Sequence, residues 1–211
     1  MIYIKKKNTP IIFADAKRKY EHYDELPGDV KEKLKEYLIN EQGHLCAYCM
    51  SRITNQTSTI EHYIPRKGQF GKSSLSLDYR NLLAVCNNVR NGRGGDRHCD
   101  VSKGDKLISI NPCRETDINY IRYNSNGEIL SDKEEFNADF NVILNLNNST
   151  LMNNRKAALS AALITMTKMN MGRWSKDYLQ KCLNKFENQD IKTEYVGIII
   201  FELKKRLQRN T

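Results

Sequence analysis

The sequence contains no long apolar run. The longest, at residues 196–201, is short and includes Gly197, whereas a membrane-spanning helix needs about 20 apolar residues. Residues 1–7 are strand-like and end in three lysines, without the apolar segment and small-residue cleavage site of a secretory signal. We therefore expect a cytoplasmic protein.

Cysteine is too scarce for a disulfide-stapled secreted scaffold, with six residues in a chain of 211. In a reducing compartment, clustered cysteines are better explained as metal ligands. Four lie in the middle of the chain, and two follow: Cys46, Cys49, Cys86 and Cys99, then Cys113 and Cys182. Cys182 falls within a helical apolar pattern, so we interpret it as a buried structural thiol.

A nucleotide-binding loop is also lacking. The Gly92-x-Gly94-Gly95 stretch has no preceding strand and no Gly-Lys-Ser/Thr, both of which a phosphate cradle of that kind requires. Any dependence on ATP would have to come from a partner.

Positive charge is concentrated in one part of the chain. The formal net charge is +9, and residues 46–115 carry 11 basic against 6 acidic side chains. The flanking segments are closer to balance, with 9 against 8 before it and 14 against 11 after it. The excess suits binding of a polyanion near the cysteines, although ordinary solvated lysines and arginines explain it equally well.

The pattern along the chain predicts an α+β protein in three segments. Residues 1–43 contain a helix after Pro27-Gly28, with Asp29 as N-cap and Gly43 as its stop. Its predicted apolar face comprises Val30, Leu34, Tyr37 and Leu38. Residues 44–113 lose helical periodicity and show short strand-like pieces, so a structural metal would have to stabilise them.

The third segment, residues 114–211, is predicted to be a hairpin followed by helices. Residues 119–123 and 127–130 flank an Asn-Ser-Asn turn. Helical spacing then occurs near 132–146, 150–170, 175–187 and 194–208. Ser149 and Ser175 are the candidate caps.

A Cys-x-x-Cys knuckle formed by Cys46 and Cys49 presents two thiolates from one tight turn. Tetrahedral zinc needs two more ligands, and Cys86 and Cys99 are the best candidates. His98 or Cys113 could replace one of them. A zinc knuckle alone would indicate only a binding module, but further polar motifs lie between and after its two halves.

Glu61 and His62 place a carboxylate beside an imidazole at the end of a predicted strand. Neighbouring strand residues point to opposite faces, so the two side chains can serve different tasks. Asn81 follows before an apolar stretch, and His98-Cys99-Asp100-x-x-Lys103 comes later. In this order the motifs resemble those of the HNH endonuclease family. The resemblance implies a zinc-stapled ββα-metal finger at 44–113, embedded between N-terminal and C-terminal helical segments.

The resemblance also implies roles for these residues. His62 would be the general base, which suits an imidazole, and Asn81 would orient it through its side-chain amide. Glu61 and Asp100 would bind one catalytic Mg²⁺ or Mn²⁺. Asp100 stands where the family usually has histidine, so His98 is an alternative second ligand. Nucleic-acid contacts would come from Arg66, Lys67, Arg90, Arg93, Arg97 and Lys103, although Lys103 could instead close the finger.

The whole chain is similar to the PtuB-type nucleases of Septu and retron anti-phage systems. The similarity lies in residues 41–49, 60–62, 77–83, 98–105 and 144–155. It implies an ABC/OLD-like ATPase subunit of the PtuA type as partner, in some cases within a retron complex, and DNA as substrate. Two alternatives remain open: the same chemistry on RNA such as tRNA, and a non-catalytic zinc-finger adaptor. The adaptor would leave Glu61, His62 and Asn81 without a role.

Overall fold

The computed structural model describes residues 1–87 and 97–209, and it places a small two-stranded centre among helices. The helices are α1 (Ile11–Ala16), α2 (Gly28–Glu41), α3 (Asp100–Lys103), α4 (Glu115–Ile118), α5 (Glu134–Ala138), α6 (Ser149–Met169), α7 (Lys176–Glu187) and α8 (Val196–Arg209). The strands are β1 (Ser58–His62), β2 (Leu82–Cys86), β3 (Ile121–Tyr123) and β4 (Ile129–Ser131). The α+β prediction is confirmed at this level.

Helix α2 begins two residues earlier than its predicted cap implies. Pro27 occupies the N-cap position without a side-chain hydrogen bond, so the assignment of Asp29 as N-cap is wrong. Asp29 lies inside the first turn, where its negative charge interacts favourably with the positive end of the helix dipole. Tyr37 is 51% exposed rather than part of the buried face. Gly43 has a φ of +62° just beyond the helix, in agreement with its predicted role as the stop.

The central strands β1 and β2 pair antiparallel. Ser58 lies opposite Cys86, and His62 lies opposite Leu82. Every residue of β2 is buried, which explains why its sequence is apolar without alternation. The single-turn helix α3 follows Cys99, whose φ of +56° turns the chain sharply.

The C-terminal segment follows the sequence pattern closely. Strands β3 and β4 form the predicted hairpin, and α6, α7 and α8 fall within two residues of their predicted spans. Ser175 caps α7 by accepting from the Tyr178 amide, as predicted. Asn148 rather than Ser149 caps α6, because its side chain accepts from the Leu151 amide. The predicted helix at 132–146 is instead α5 followed by a π-helical turn, Asp139–Ile143.

The segment before α8 forms hydrogen bonds with the residues that directly follow the Cys46–Cys49 knuckle, and it thereby connects the knuckle to α8. The Tyr195 amide donates to the Met50 carbonyl at 3.0 Å. The Glu194 carboxylate accepts from the Arg52 amide at 2.7 Å. A Cβ on Gly197 would lie 2.8 Å from the Met50 sulfur, so close packing requires glycine there. Within residues 1–87 and 97–209, no helix combines the length and apolar character that crossing a membrane would require.

Candidate metal centre and adjoining site

The structure gathers four cysteines into one buried cluster. Cys46 and Cys49 come from the turn after α2, Cys86 from the end of β2, and Cys99 from the residue before α3. Their Sγ atoms all lie within 4.8 Å of one another, and all four side chains are buried. This is the cysteine cluster.

The cysteine cluster has the dimensions of a zinc site. The Sγ atoms of Cys46 and Cys99 are 3.7 Å apart, and those of Cys49 and Cys86 are 3.8 Å apart. A tetrahedral site with zinc–sulfur bonds of about 2.3 Å separates its sulfur atoms by about 3.8 Å. The four sulfur atoms could therefore hold a zinc ion between them.

The two alternative zinc ligands lie outside this group. The Nδ1 atom of His98 is 3.1 Å from the Cys99 sulfur and 3.7 Å from that of Cys86, so the ring lies against the thiols. Cys113 lies elsewhere, among Lys6 and Glu41, and burial raises the pKa of its thiol to about 11. Four sulfur ligands complete a tetrahedron without either residue.

The Glu61 carboxylate is buried beside the cysteine cluster and faces Lys103. Its Oε1 is 2.6 Å from the Lys103 ammonium and accepts a long hydrogen bond of 3.4 Å from the Tyr48 hydroxyl. Burial raises the pKa of Glu61 to about 8, Lys103 opposes that rise, and hydrogen bonding and repulsion from Asp100 add to it. The carboxyl groups of Glu61 and Asp100 therefore lie beside each other, in what we call the carboxylate corner.

This corner has the donor set that a hard divalent cation prefers. Glu61 is buried at the end of β1, and Asp100 is half-buried at the start of α3. Both offer carboxylate oxygens, the ligands of Mg²⁺ and Mn²⁺. A cation would also relieve the repulsion between them. The pair therefore fits such an ion.

His62 has contacts of its own, separate from those of Glu61, as the alternation of side chains along a strand predicts. Its Nε2 lies 2.9 Å from the Ser76 carbonyl, and its ring meets that of Tyr23 edge-on at 4.8 Å. Because a carbonyl can only accept, Nε2 must carry the hydrogen, which leaves the lone pair on Nδ1. Burial lowers the pKa of His62 to about 4, so the ring is neutral near pH 7.

The hydrogen bonds that the structure shows for the Asn81 side-chain amide go to backbone groups and not to the His62 ring. The Asn81 Oδ1 accepts from the Ile64 amide at 2.7 Å. Its Nδ2 donates to the carbonyls of Ile64 and Leu75 at 3.0 and 3.2 Å. The expected direct contact between Asn81 and His62 is therefore wrong. Asn81 secures the loop whose next residue, Ser76, holds the imidazole.

The basic residues expected to contact nucleic acid are distributed unequally. Arg66 pairs with Asp24 at 2.6 Å. Lys67 is 76% exposed and lies 3.9 Å from the same carboxylate. Arg97 is exposed, and its carbonyl accepts from Asn145 at 2.8 Å. Arg90 and Arg93 lie outside the described residues.

Lys103 is buried and cannot meet a nucleic acid from solvent. Its side chain is 0% exposed, and its ammonium also donates to the His62 carbonyl at 3.3 Å. The expectation that Lys103 contacts nucleic acid is therefore wrong. The residue instead ties α3 to the end of β1, which agrees with the alternative that it closes the finger.

Lys103→Met is expected to lower the free energy of unfolding by about 1–3 kcal/mol, because it leaves the buried Glu61 side chain and the His62 carbonyl without the ammonium that donates to them. Urea denaturation of the zinc-loaded protein measures this loss. The double variant Glu61→Gln/Lys103→Met removes both charges and should recover much of it. Lys67→Met, at an exposed site, is the matched control and should change stability little. A Lys103→Met protein as stable as the parent would contradict the pairing.

The sequence-based expectations do not include three groups at this site. Tyr48 lies inside the Cys-x-x-Cys knuckle and reaches Glu61. Tyr23 packs against His62 from a single helical turn near the N-terminus. The Ser76 carbonyl is a backbone group, which every residue has, so the amino-acid type at position 76 does not indicate its role. Only the position of Tyr48 between two candidate ligands could have indicated its place.

Comparison with known proteins adds two matches of modest identity, while no family model matches the chain. The "Retron Ec83 putative HNH endonuclease" of Escherichia coli is 36% identical over 63 residues, which cover 28% of this chain and 24% of that protein. The "Retron Vc95 putative HNH endonuclease" of Vibrio cholerae serotype O1 biovar El Tor is 28% identical over 83 residues, which cover 39% of each. The chain thus spans less than half the length of either relative. These two matches support the assignment of this chain to the HNH endonuclease family.

Proposed function

We propose that this protein is a metal-dependent HNH endonuclease that hydrolyses phosphodiester bonds of DNA. The observation that carries the proposal is the pair of side chains at the end of β1: Glu61 lies beside the Asp100 carboxyl group, and the next residue, His62, carries a neutral imidazole. Strands β1 and β2 with helix α3 would then be the ββα-metal finger, with residues 44–113 as the nuclease core.

Zinc in the cysteine cluster would have a structural role. Four thiolates fill a tetrahedral coordination sphere and leave no open position for substrate. The cluster joins the knuckle, the end of β2 and the start of α3. It would thereby hold α3 against β1, so that Asp100 stays beside Glu61.

Glu61 and Asp100 would hold a Mg²⁺ or Mn²⁺ ion, with Lys103 fixing the Glu61 side chain. When bound, such an ion stabilises the charge that develops on a phosphate oxygen and on the leaving 3′ oxygen. His62 would take a proton from the attacking water at Nδ1, because Nε2 is committed to the Ser76 carbonyl. Asn81 would keep that carbonyl in place by securing the loop before it.

RNA is the second candidate substrate, since hydrolysis by an activated water does not need a ribose hydroxyl. Incubating the protein with plasmid DNA and with transfer RNA under identical Mg²⁺ or Mn²⁺ conditions separates the two. We expect the plasmid to be cut. Fragmentation confined to the RNA would assign the enzyme to the other polymer.

The cellular role we infer is antiviral defence in the cytoplasm, and it is supported by the retron context of both relatives. The chain would act as the effector nuclease and depend on an ABC/OLD-like ATPase for control. Co-expression with such an ATPase tests the dependence. Co-purification and nucleotide-dependent cleavage are the expected results. Cleavage that is unaffected by the ATPase would contradict it.

Asp100→Asn is expected to lower the cleavage rate roughly 100-fold or more, because a cation contributes several kcal/mol to the transition state. Asp100 is half-buried and makes no ion pair seen among residues 1–87 and 97–209, so the variant should fold and retain zinc. Mn²⁺ binding followed by electron paramagnetic resonance should weaken in parallel. His98→Gln should leave Mn²⁺ binding intact. The reverse pattern would make His98 the second ligand.

A further inference from the structure

A loop of unusual shape follows the proposed base. Residues 64–75 leave β1 and return to the turn before β2. One side chain, Asn81, hydrogen-bonds to backbone groups at both ends, Ile64 and Leu75. The two ends therefore meet, as in an Ω-loop, a type that often carries function. We name this segment the 64–75 loop.

The tip of the 64–75 loop is held by its own backbone. The Lys72 amide donates to the Pro65 carbonyl at 2.8 Å, and the Gly71 amide donates to Gly68 at 3.1 Å. A Cβ on Gly71 would lie 2.5 Å from the carbonyl atoms of Lys67, so only glycine permits this turn. The turn leaves the neighbouring Phe70 side chain 48% exposed.

The 64–75 loop adjoins His62 through two contacts. The carbonyl of Ser76, directly after the loop, accepts from the imidazole at 2.9 Å. The Arg66 guanidinium lies over the Tyr23 ring at 5.0 Å from its centre. That ring in turn packs edge-on against His62 at 4.8 Å. The loop is therefore part of the wall around the proposed base.

The charge of the 64–75 loop suits phosphates. It carries Arg66, Lys67 and Lys72 and no acidic residue, and Asp24 neutralises only part of that charge. A single exposed apolar side chain is common on protein surfaces. Phe70 differs because it stands on the backbone-constrained tip of a loop that carries three cations and whose ends adjoin the proposed base. Cations that track a backbone, combined with an aromatic ring, are how proteins hold single strands.

We propose that Phe70 stacks on an unpaired nucleobase, so that the 64–75 loop directs the enzyme to single-stranded nucleic acid beside the scissile phosphate. The bases of an intact duplex have both faces covered by their neighbours, whereas an unpaired base offers a face to the ring. This inference rests on the proposed function and specifies the substrate further.

Fluorescence anisotropy of the His62→Ala protein tests the stacking without cleavage. The probes are a labelled 20-nucleotide DNA strand, the RNA strand of the same sequence and the corresponding DNA duplex. Adding Phe70→Ala should weaken binding of both single strands roughly 5- to 150-fold and change duplex binding less than about twofold. Phe70→Trp should restore the single-strand affinity. Tyr37→Ala, at a residue 51% exposed on α2, is the matched control and should have no effect.

A 2-aminopurine base in the DNA strand reports stacking directly, and its fluorescence should be quenched by the parent and not by the Phe70→Ala protein. Equal losses for strand and duplex, or no loss for either, would overturn the inference. If the parent cleaves nucleic acid while Phe70→Ala changes no preference, the stacking role alone fails. If the parent neither binds nor cleaves any nucleic acid, the proposed function fails with it.

Discussion

His62→Ala is expected to lower the rate of phosphodiester cleavage about 10²- to 10⁴-fold, the usual contribution of a positioned general base. Burial keeps the imidazole neutral by lowering its pKa to about 4, and the Ser76 carbonyl fixes the tautomer. The measurement is the single-turnover rate on a labelled oligonucleotide with Mn²⁺. Free imidazole should restore part of the activity, because it replaces the base and not a structural contact.

Two controls separate catalysis from folding in that experiment. Ser76→Ala keeps the backbone carbonyl that holds His62 and removes a buried hydroxyl without a hydrogen-bond partner among residues 1–87 and 97–209. Its rate should match the parent. His22→Ala removes an exposed imidazole elsewhere and should also be silent. A His62→Ala protein that retains zinc and cleaves at the parental rate would remove His62 from the mechanism.

Chemistry that depends on residues near one another in the chain could be predicted from the sequence. Two thiols separated by two residues form a knuckle because one tight turn brings them together. That knuckle supplies two of the four thiols in the cysteine cluster. The helical spans were predictable for the same reason, since the period of apolar residues is local. The hairpin at β3 and β4 was recognised from its turn residues.

Contacts that depend on the path of a loop could not be predicted. Asn81 was expected to reach His62, but the returning 64–75 loop places Ile64 and Leu75 around its amide instead. The group that does hold His62 is a backbone carbonyl, which every residue has. The sequence leaves two roles open for Lys103, a contact with nucleic acid or closure of the finger, because its spacing does not show where the side chain points. Its burial follows from the Glu61 partner supplied by another element.

The choice among possible zinc ligands was open for a similar reason. Spacing alone allowed His98 or Cys113 to replace a cysteine, because the 12 residues between Cys86 and Cys99 can follow many paths. Pairing of β1 with β2 and the sharp turn at Cys99 bring these two sulfur atoms to the knuckle. Spacing identifies the candidates, and the tertiary structure brings four of them, all cysteines, into one cluster.

Cys49→Ser is expected to abolish zinc binding and to unfold the centre of the protein. Structural zinc contributes about 10–16 kcal/mol of apparent binding free energy in small finger peptides. A whole domain is stable by only about 5–15 kcal/mol. Between the knuckle and β3 the described secondary structure is only two five-residue strands and short helical turns, which bury too little to replace that contribution. Elemental analysis should give one zinc for the parent and almost none for the variant, with a much lower melting temperature.

The other two cysteines provide the matched test of this expectation. Cys113 and Cys182 are partly buried thiols outside the cysteine cluster, so Cys113→Ser and Cys182→Ser should each keep one zinc and lose little stability. Because the Met50 carbonyl receives the Tyr195 amide, unfolding of the knuckle should also loosen the start of α8. Hydrogen exchange at the Tyr195 amide should therefore quicken in Cys49→Ser and stay slow in both controls. Full zinc content in Cys49→Ser, or its loss in Cys113→Ser, would show that a different set of residues holds the metal.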